Sequence, residues 1–474
     1  MVMGSLRTRT EVLIIGGGTG GYIAAEHAAK LGKEVTLVEA DKLGGTCLHH
    51  GCIPSKALIS SADLVHRLRA AEDRGIVAAE IRVDGRKLQE WKQKVLNRLE
   101  SGIKTLMKGA DVNVVHGRAR LTGPREAVVE GPDGVQTFTF EQCIVATGSV
   151  AAGLPHLPFD GERVLDAAAA LDLAEPPGRL VVVGGGYIGL ELGILYRKLG
   201  SEVTVVEATG QLLPGTDPDL VNVLMRKLRR LGVTVHRNAR AGTLTDAGLE
   251  VQLEDGRAEV LPADKVLVAV GRRPNTEGLG LEAAGVALDE RGFVRVDEQC
   301  RTRVPHIFAI GDVAGGPLLA HKAGHQGRVA AEVIAGRPSA CDWAAVPAVV
   351  FTDPEIAWAG LSESEARERG YEVAVGKFLY TASGRALTLG ETDGLVKVVA
   401  DRNTGLVLGI HLCGPEVSEL AAEATLALEM GAVVEDLAST IHPHPTLSEG
   451  IAEASLALAR EAMAAAAREV ARAR

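Results

Sequence analysis

Four consecutive apolar residues, Val12 to Ile15, run directly into Gly16-Gly17-Gly18-Thr19-Gly20-Gly21. The pattern predicts a buried strand, a glycine turn and an Ala-rich helix, followed by a second apolar strand that ends at Glu39. Gly16, Gly18 and Gly21 have G-x-G-x-x-G spacing. In such a unit the first glycine makes the tight turn and the second admits a pyrophosphate to the helix N-terminus. The third lets helix and strand pack closely, and the acid accepts ribose hydroxyls. The arrangement returns at a constant offset of 168 residues, as Val181 to Val183, Gly184, Gly186, Gly189 and Glu207. Leu31-Gly32 and Glu34-Val35-Thr36 likewise reappear as Leu199-Gly200 and Glu202-Val203-Thr204. One chain thus carries two dinucleotide units.

Between the units, Gln89 to Lys108 reads as a helix, and turn-separated β segments run through Thr137 to Ile144, closing on Ala146-Thr147-Gly148-Ser149. After the second unit, Lys265 to Val270 is a strand, and Gly271-Arg272-Arg273-Pro274-Asn275 has the composition of a loop. Ile307 to Ile310 is a strand leading into Gly311-Asp312, and Leu319 to Ala335 a helix. An Asp at a strand end beside Gly can bond a ribityl hydroxyl, or can simply make a turn. From Pro347 the texture changes. Strands at Val349 to Phe351, Leu395 to Val399 and Leu406 to His411 mix with helices at Val417 to Met430 and Ile451 to Arg472. No nucleotide motif occurs there, so an α+β domain is expected beyond a boundary near Cys341 to Ala345.

The length of 474 residues suits about three domains, and 46% apolar content supplies their cores. The formal charge of -10, with no basic run, argues against a nucleic-acid partner. Six cysteines are too few for a disulfide scaffold in so long a chain, and a reducing cytoplasm fits them. Met1 to Thr10 lacks the apolar core of a signal peptide, and no membrane span is expected.

The chemistry concentrates at Gly44-Gly45-Thr46-Cys47-Leu48-His49-His50-Gly51-Cys52-Ile53-Pro54-Ser55-Lys56. If this stretch were one helix, the cysteine Cα atoms would lie about 8.6 Å apart, beyond the roughly 7 Å that a disulfide tolerates. A bridge would distort the turn, and a strained bridge is easily reduced, as a catalytic one must be. Two ordinary buried thiols, or a zinc site using Cys47, His49, His50 and Cys52, are the alternatives. Two dinucleotides with a redox dithiol imply electrons passing between a flavin and a nicotinamide, with the thiols as a third station. Glu207, with no Arg or Lys from Ala208 to Asp219, favours NAD over NADP. Near the C-terminus, His442-Pro443-His444-Pro445-Thr446-Leu447-Ser448-Glu449 mounts His444 between two prolines. A rigid imidazole suits proton transfer from a thiol. Equally, a lone histidine is commonly structural, and Thr446-x-x-Glu449 reads as a capping box.

Taken together, Gly44 to Lys56, Gly184 to Glu191, Ala309-Ile310-Gly311-Asp312, Val350 to Trp358 and His442 to Glu449 resemble the FAD-dependent pyridine nucleotide-disulfide oxidoreductases, over nearly the whole chain. The resemblance implies an α/β fold of two Rossmann-like dinucleotide-binding domains plus a C-terminal α+β dimerisation domain. The domains would be FAD-binding (1–153), NAD-binding (154–275), central (276–345) and interface (346–474). It implies that Cys47 exchanges with a dithiol substrate, that Cys52 contacts the flavin, and that His444 is the acid/base oriented by Glu449. Lys56 would lie near the flavin and pair with Glu191. Thr147, Gly148, Gly271, Gly311, Asp312 and Ala320 would help to bind the two cofactors, FAD and NAD. It further implies a homodimer in which His444 serves the partner subunit's disulfide, and a lipoylated protein of a 2-oxo acid dehydrogenase or glycine-cleavage system as partner. The chain departs from the family at His49-His50, where a charged ring would lower a thiol pKa.

Overall fold

The computed structural model describes residues 7–78, 80–132 and 134–460, in two compact units: Met1–Pro176 with Ala269–Asp342, and Pro177–Val268 with Trp343–Arg474. In the first unit the strand Arg7–Ile15 begins on exposed polar residues and ends on Val12, Leu13, Ile14 and Ile15, all buried. Those four lie between two parallel neighbours, Val35–Glu39 on one side and Gly134–Val145 on the other. Leu13 and Ile15 point into one core cluster and Val12 and Ile14 into another, so the strand is buried on both faces, which is why it reads as continuous apolar sequence. Gly134–Val145 serves two layers. Its last residues pair in parallel with Ile307–Ala309, while its first half continues into an antiparallel meander with Glu126–Gly131 and then Arg118–Gly123. The helix Thr19–Lys30 packs on Ala320–Ile334 at close range: a Cβ added at Gly327 would stand 2.6 Å from Gly20 O. The helix read from Gln89 to Lys108 runs from Gly85 to Gly109, with Asp84 accepting from Lys87 N at 3.1 Å as its cap.

In the second unit, Arg179–Val183 pairs in parallel with Glu202–Val206 and Lys265–Val268, and Thr234–His236 extends the sheet. Past residue 342 the chain builds an antiparallel sheet in the order Ala348–Val350, Glu355–Gly360, Val407–Gly414, Leu395–Asp401, Val373–Leu379, with the helix Val417–Glu429 against it. Leu395–Asp401 is buried at every position, including Lys397. The last helix is described over 449–460; the remainder of the run expected to Arg472 lies outside the described residues.

One local expectation is corrected, and one conditional geometry is settled. Arg272–Pro274, read as part of a loop, is a short strand antiparallel to Ser149–Ala151. Gly271, at φ +132, turns the chain into it, and Arg272 donates from Nη2 to Ser149 O at 2.7 Å. The cysteine stretch is not one helix either. Gly45–His49 and Cys52–Arg69 are separate helices, broken at His50 and Gly51, where Gly51 takes φ -148, ψ -104.

Candidate active site: a dithiol beside a dinucleotide turn

The first unit builds a tight turn from glycines. Gly16 lies at φ +106, and a Cβ there would meet Ala146 O at 2.4 Å; a Cβ at Gly21 would stand 1.8 Å from Gly16 O. Side chains at either position would push the turn apart. Gly18, by contrast, has only the Gly45 Cα at 4.0 Å, so open space lies over the N-terminus of the helix Thr19–Lys30. The Glu39 carboxylate closes the turn, accepting from Gly17 N at 2.6 Å and Asp41 N at 2.7 Å. The second unit repeats this almost atom for atom. Gly184 lies at φ +108, Gly186 has nothing within 4 Å, and Glu207 accepts from Gly185 N at 2.6 Å and Thr209 N at 2.7 Å. Gly189 sits one turn into the helix Tyr187–Leu199. Positive helix termini with room above them, each beside a strand-end carboxylate, fit a pyrophosphate and ribose at both positions.

Gly44 and Gly45, at φ +103 and +58, bring the cysteine stretch onto the first of these turns, where Gly44 N donates to Gly17 O at 2.8 Å. Cys47 and Cys52, both thiols here, lie close enough to hydrogen bond, and the side chain of Thr19 also bonds Cys47. The hydrogen bond with Cys52 and burial push the Cys47 thiol well above its ordinary value, with Thr19 and the charge of Lys56 acting in the opposite direction. Cys52 is exposed at the first position of its helix, and Lys56 is one turn on, on the same face. His49 Nε2 is buried against Leu43 O at 2.9 Å and His50 Nε2 reaches Asp41 at 3.3 Å. Among the described residues no group of three or more His, Cys, Asp and Glu side chains is arranged to hold a metal. Thr19 was missed in the sequence because it is also an ordinary glycine-turn residue.

Other candidates of the first unit form one connected lining. Asp312 accepts from Ser149 Oγ, which in turn accepts from Arg272 Nε at 2.7 Å. Thr147 Oγ1 donates to Asn275 O at 2.8 Å, Gly148 lies at φ +70, and Gly311 N donates to Gln326 Oε1 at 2.8 Å on the helix that Ala320 opens. Ser149 and Arg272 gave no signal because their partners are far off in sequence. In the second unit the buried Glu191 carboxylate accepts from Phe351 N at 2.9 Å. There too Glu449 bonds both the loop before its helix and the histidine ring, while Thr446 Oγ1 is engaged by Pro443 O and Ser448 Oγ rather than by Glu449 N. Its Oε2 accepts from Thr446 N and its Oε1 bonds His444 Nδ1, both at 2.8 Å. Burial raises the Glu449 carboxyl, but the hydrogen bonds from His444 and Thr446 outweigh it and hold the group below its ordinary value. The His444 side chain is 79% exposed in the single chain. Its neighbour His442 is instead buried and tied to Glu423 at 2.8 Å.

Residues 10–327 match the family model for pyridine nucleotide-disulphide oxidoreductases, and residues 346–455 match that family's dimerisation domain. The chain belongs to this family. Among its pyridine nucleotide-disulphide oxidoreductase relatives, a dihydrolipoyl dehydrogenase of Geobacillus stearothermophilus is 46% identical over 96% of this chain and 97% of that protein. One of Thermus scotoductus is 50% identical over 96% and 98%. Of solved structures, that of LpdA from Mycobacterium tuberculosis superposes with a TM-score of 0.87 at 32% identity, covering 95% of this chain and 99% of that one. The α/β architecture expected from the sequence is thereby borne out, with its two dinucleotide-binding regions and a dimerisation domain.

Proposed function

We propose that this chain is an NAD-dependent dihydrolipoyl dehydrogenase. The observation that carries the reading is the Cys47–Cys52 pair seated on the glycine turn of the first dinucleotide unit; dihydrolipoyl dehydrogenases sharing nearly its full length support the substrate. His444 takes a proton from one substrate thiol, and Glu449, ionised and bonded to Nδ1, fixes the ring and balances its charge. The thiolate attacks Cys47 Sγ of the oxidised pair, an S–S bond forms, and the Cys47–Cys52 bond breaks. Cys52 leaves as a thiolate, with the Lys56 ammonium one turn away to offset its charge. The second substrate thiol, deprotonated in its turn, closes lipoamide and releases Cys47. FAD, when bound, supplies the two-electron relay from the dithiol to NAD. The glycine turn at Gly16, Gly18 and Gly21 with Glu39 and Asp312 would hold FAD, and Gly184, Gly186, Gly189 and Glu207 would hold NAD.

The same reading assigns the four domains the boundaries expected from the sequence, places the enzyme in a reducing cytoplasm, and makes a lipoylated protein its partner. It also shares each site between two subunits. The family's dimerisation domain and the strongly exposed His444 support this, as do the apolar residues beside it. Ile441 is 95% exposed, and Met430 and Leu426 project from the region of the helix to which His442 is tied. Among the described residues no helix is long and apolar enough to cross a membrane. NADH formation from dihydrolipoamide by the FAD-loaded protein tests the proposal. Turnover of glutathione disulfide or mercuric ion with no activity on dihydrolipoamide would move the chain to another branch of the family, and a protein that binds FAD but turns over none of these would be a thiol sensor.

A further inference from the structure

The fold brings together a second pair of thiols that the sequence separates by 41 positions: Cys300 Sγ and Cys341 Sγ lie 3.5 Å apart. Backbone bonds hold the contact. Cys341 N donates to Glu298 O at 2.7 Å and Gln299 Nε2 to Ser339 O at 3.3 Å, so residues 339–341 lie along the turn at 297–301. Cys300 is fully buried and Cys341 is partly exposed. Cys300 also occupies φ +62, a left-handed conformation that glycine or asparagine would adopt at lower cost. A cysteine held there against that preference points its sulfur at the other thiol.

We propose that Cys300 and Cys341 form a second, peroxide-oxidisable dithiol, with Cys341 the attacking sulfur and Cys300 the resolving one. The accessible Cys341 thiolate attacks a hydroperoxide: an S–O bond forms, the O–O bond breaks, and the alkoxide or hydroxide leaves with a proton. Cys300 sulfur then attacks Cys341 sulfur, the S–O bond breaks, and hydroxide departs with the Cys300 proton as water. Two thiols and one hydroperoxide thus give one disulfide, one alcohol or water, and one further water. An external dithiol reverses the change by exchange. The surroundings favour these roles. The hydrogen bond from Cys300, with help from the buried Lys322 ammonium, holds the Cys341 thiol below its ordinary value despite partial burial. The sulfurs already touch, and need to approach by only about 1.5 Å to bond. The pair also backs the cofactor lining, since Cys300 Sγ lies 3.9 Å from the backbone O of Gln326, whose side chain holds Gly311 N.

The FAD-loaded Cys47→Ser/Cys52→Ser protein isolates this pair from the catalytic one. It is treated with hydrogen peroxide, alkylated, and digested without reduction for mass spectrometry. The expected product is a single cross-link joining the Cys300 and Cys341 peptides, lost on adding dithiothreitol. The wild-type holoprotein gives the same cross-link, so the result does not depend on the variant folding. In Cys300→Ser, Cys341 accumulates as a dimedone-trapped sulfenic acid; in Cys341→Ser, Cys300 stays unmodified. Sulfinic or sulfonic acid at Cys341 with no cross-link, or thiols unchanged at peroxide levels that oxidise free cysteine, would overturn the proposal. Equal labelling of Cys300 in Cys341→Ser would overturn the roles.

Discussion

Glu449→Gln removes a charge from the histidine loop while preserving its shape. In the structure each carboxylate oxygen has its own donor at 2.8 Å, His444 Nδ1 at one and Thr446 N at the other. Glutamine has a single acceptor oxygen. Whichever donor it serves, its NH2 group faces the remaining N–H, so one bond to a charged acceptor is lost. Such a bond contributes about 1.5–3 kcal/mol. Lost at the step in which His444 gains a proton, it corresponds to about a 10- to 150-fold fall in kcat for dihydrolipoamide oxidation. The lower end is favoured if the loop keeps the solvent exposure it has in the single chain. KM for NAD should not move, because Glu207 and the second glycine turn are untouched. Made in a His444→Ala background, the substitution should reduce activity no further, since both residues act through one proton transfer. Steady-state kinetics of the four proteins, with thermal melts to match, decide the matter. Wild-type turnover in Glu449→Gln, or an additive loss in the double variant, would reduce Glu449 to a helix cap.

Further outcomes follow from the same structure. NAD should support higher catalytic efficiency than NADP, because the Glu207 carboxylate, fixed by Gly185 N and Thr209 N, repels a 2′-phosphate; equal efficiency with NADP would contradict this. Lys397→Met should destabilise the second unit by about 3–5 kcal/mol, since it leaves the buried Asp217, 2.8 Å from Nζ, without its counter-charge; a denaturation midpoint within error of wild type would refute it. For Asp353, burial raises the carboxyl, but Lys198 at 2.7 Å and Lys227 at 3.1 Å outweigh it, so its folded value lies below that of an ordinary aspartate. Its stabilisation is therefore present above the ordinary value and lost as pH falls through the folded one. The stability gap between wild type and Asp353→Asn should shrink at acid pH, and a gap that widened there would reverse the sign.

What was legible in the sequence was local and periodic. The repeat at 168 residues became two turns with matching φ values and matching Glu-to-amide bonds, because glycine spacing and strand-end acids state their own geometry. The Cys47–Cys52 stretch was visible for the same reason, although its helix break at Gly51 was not: a run of helix-compatible residues does not reveal where glycine will depart from helical angles. Arg272–Pro274 escaped because a three-residue strand of Arg, Arg and Pro has no period-2 signal and is held instead by Ser149. Cys300 and Cys341 gave no signal as a pair, since nothing in the sequence between them records that the segment near residue 340 returns to the turn at 297–301. His444 carried the right neighbours in sequence, yet its exposure and its bond to Glu449 appear only in three dimensions.

That exposure leads to the most direct test. If His444 serves the Cys47–Cys52 pair of the other subunit, then Cys47→Ser homodimers, inactive, and His444→Ala homodimers, with only a small residual activity, should complement one another. After dissociation and random reassociation about half the dimers are mixed, and by two-fold symmetry each mixed dimer holds one fully defective site and one intact one. Recovery of about a quarter of wild-type NADH formation is the predicted result. Mixed dimers confirmed by mass, with no activity regained, would show that each site is built within a single chain.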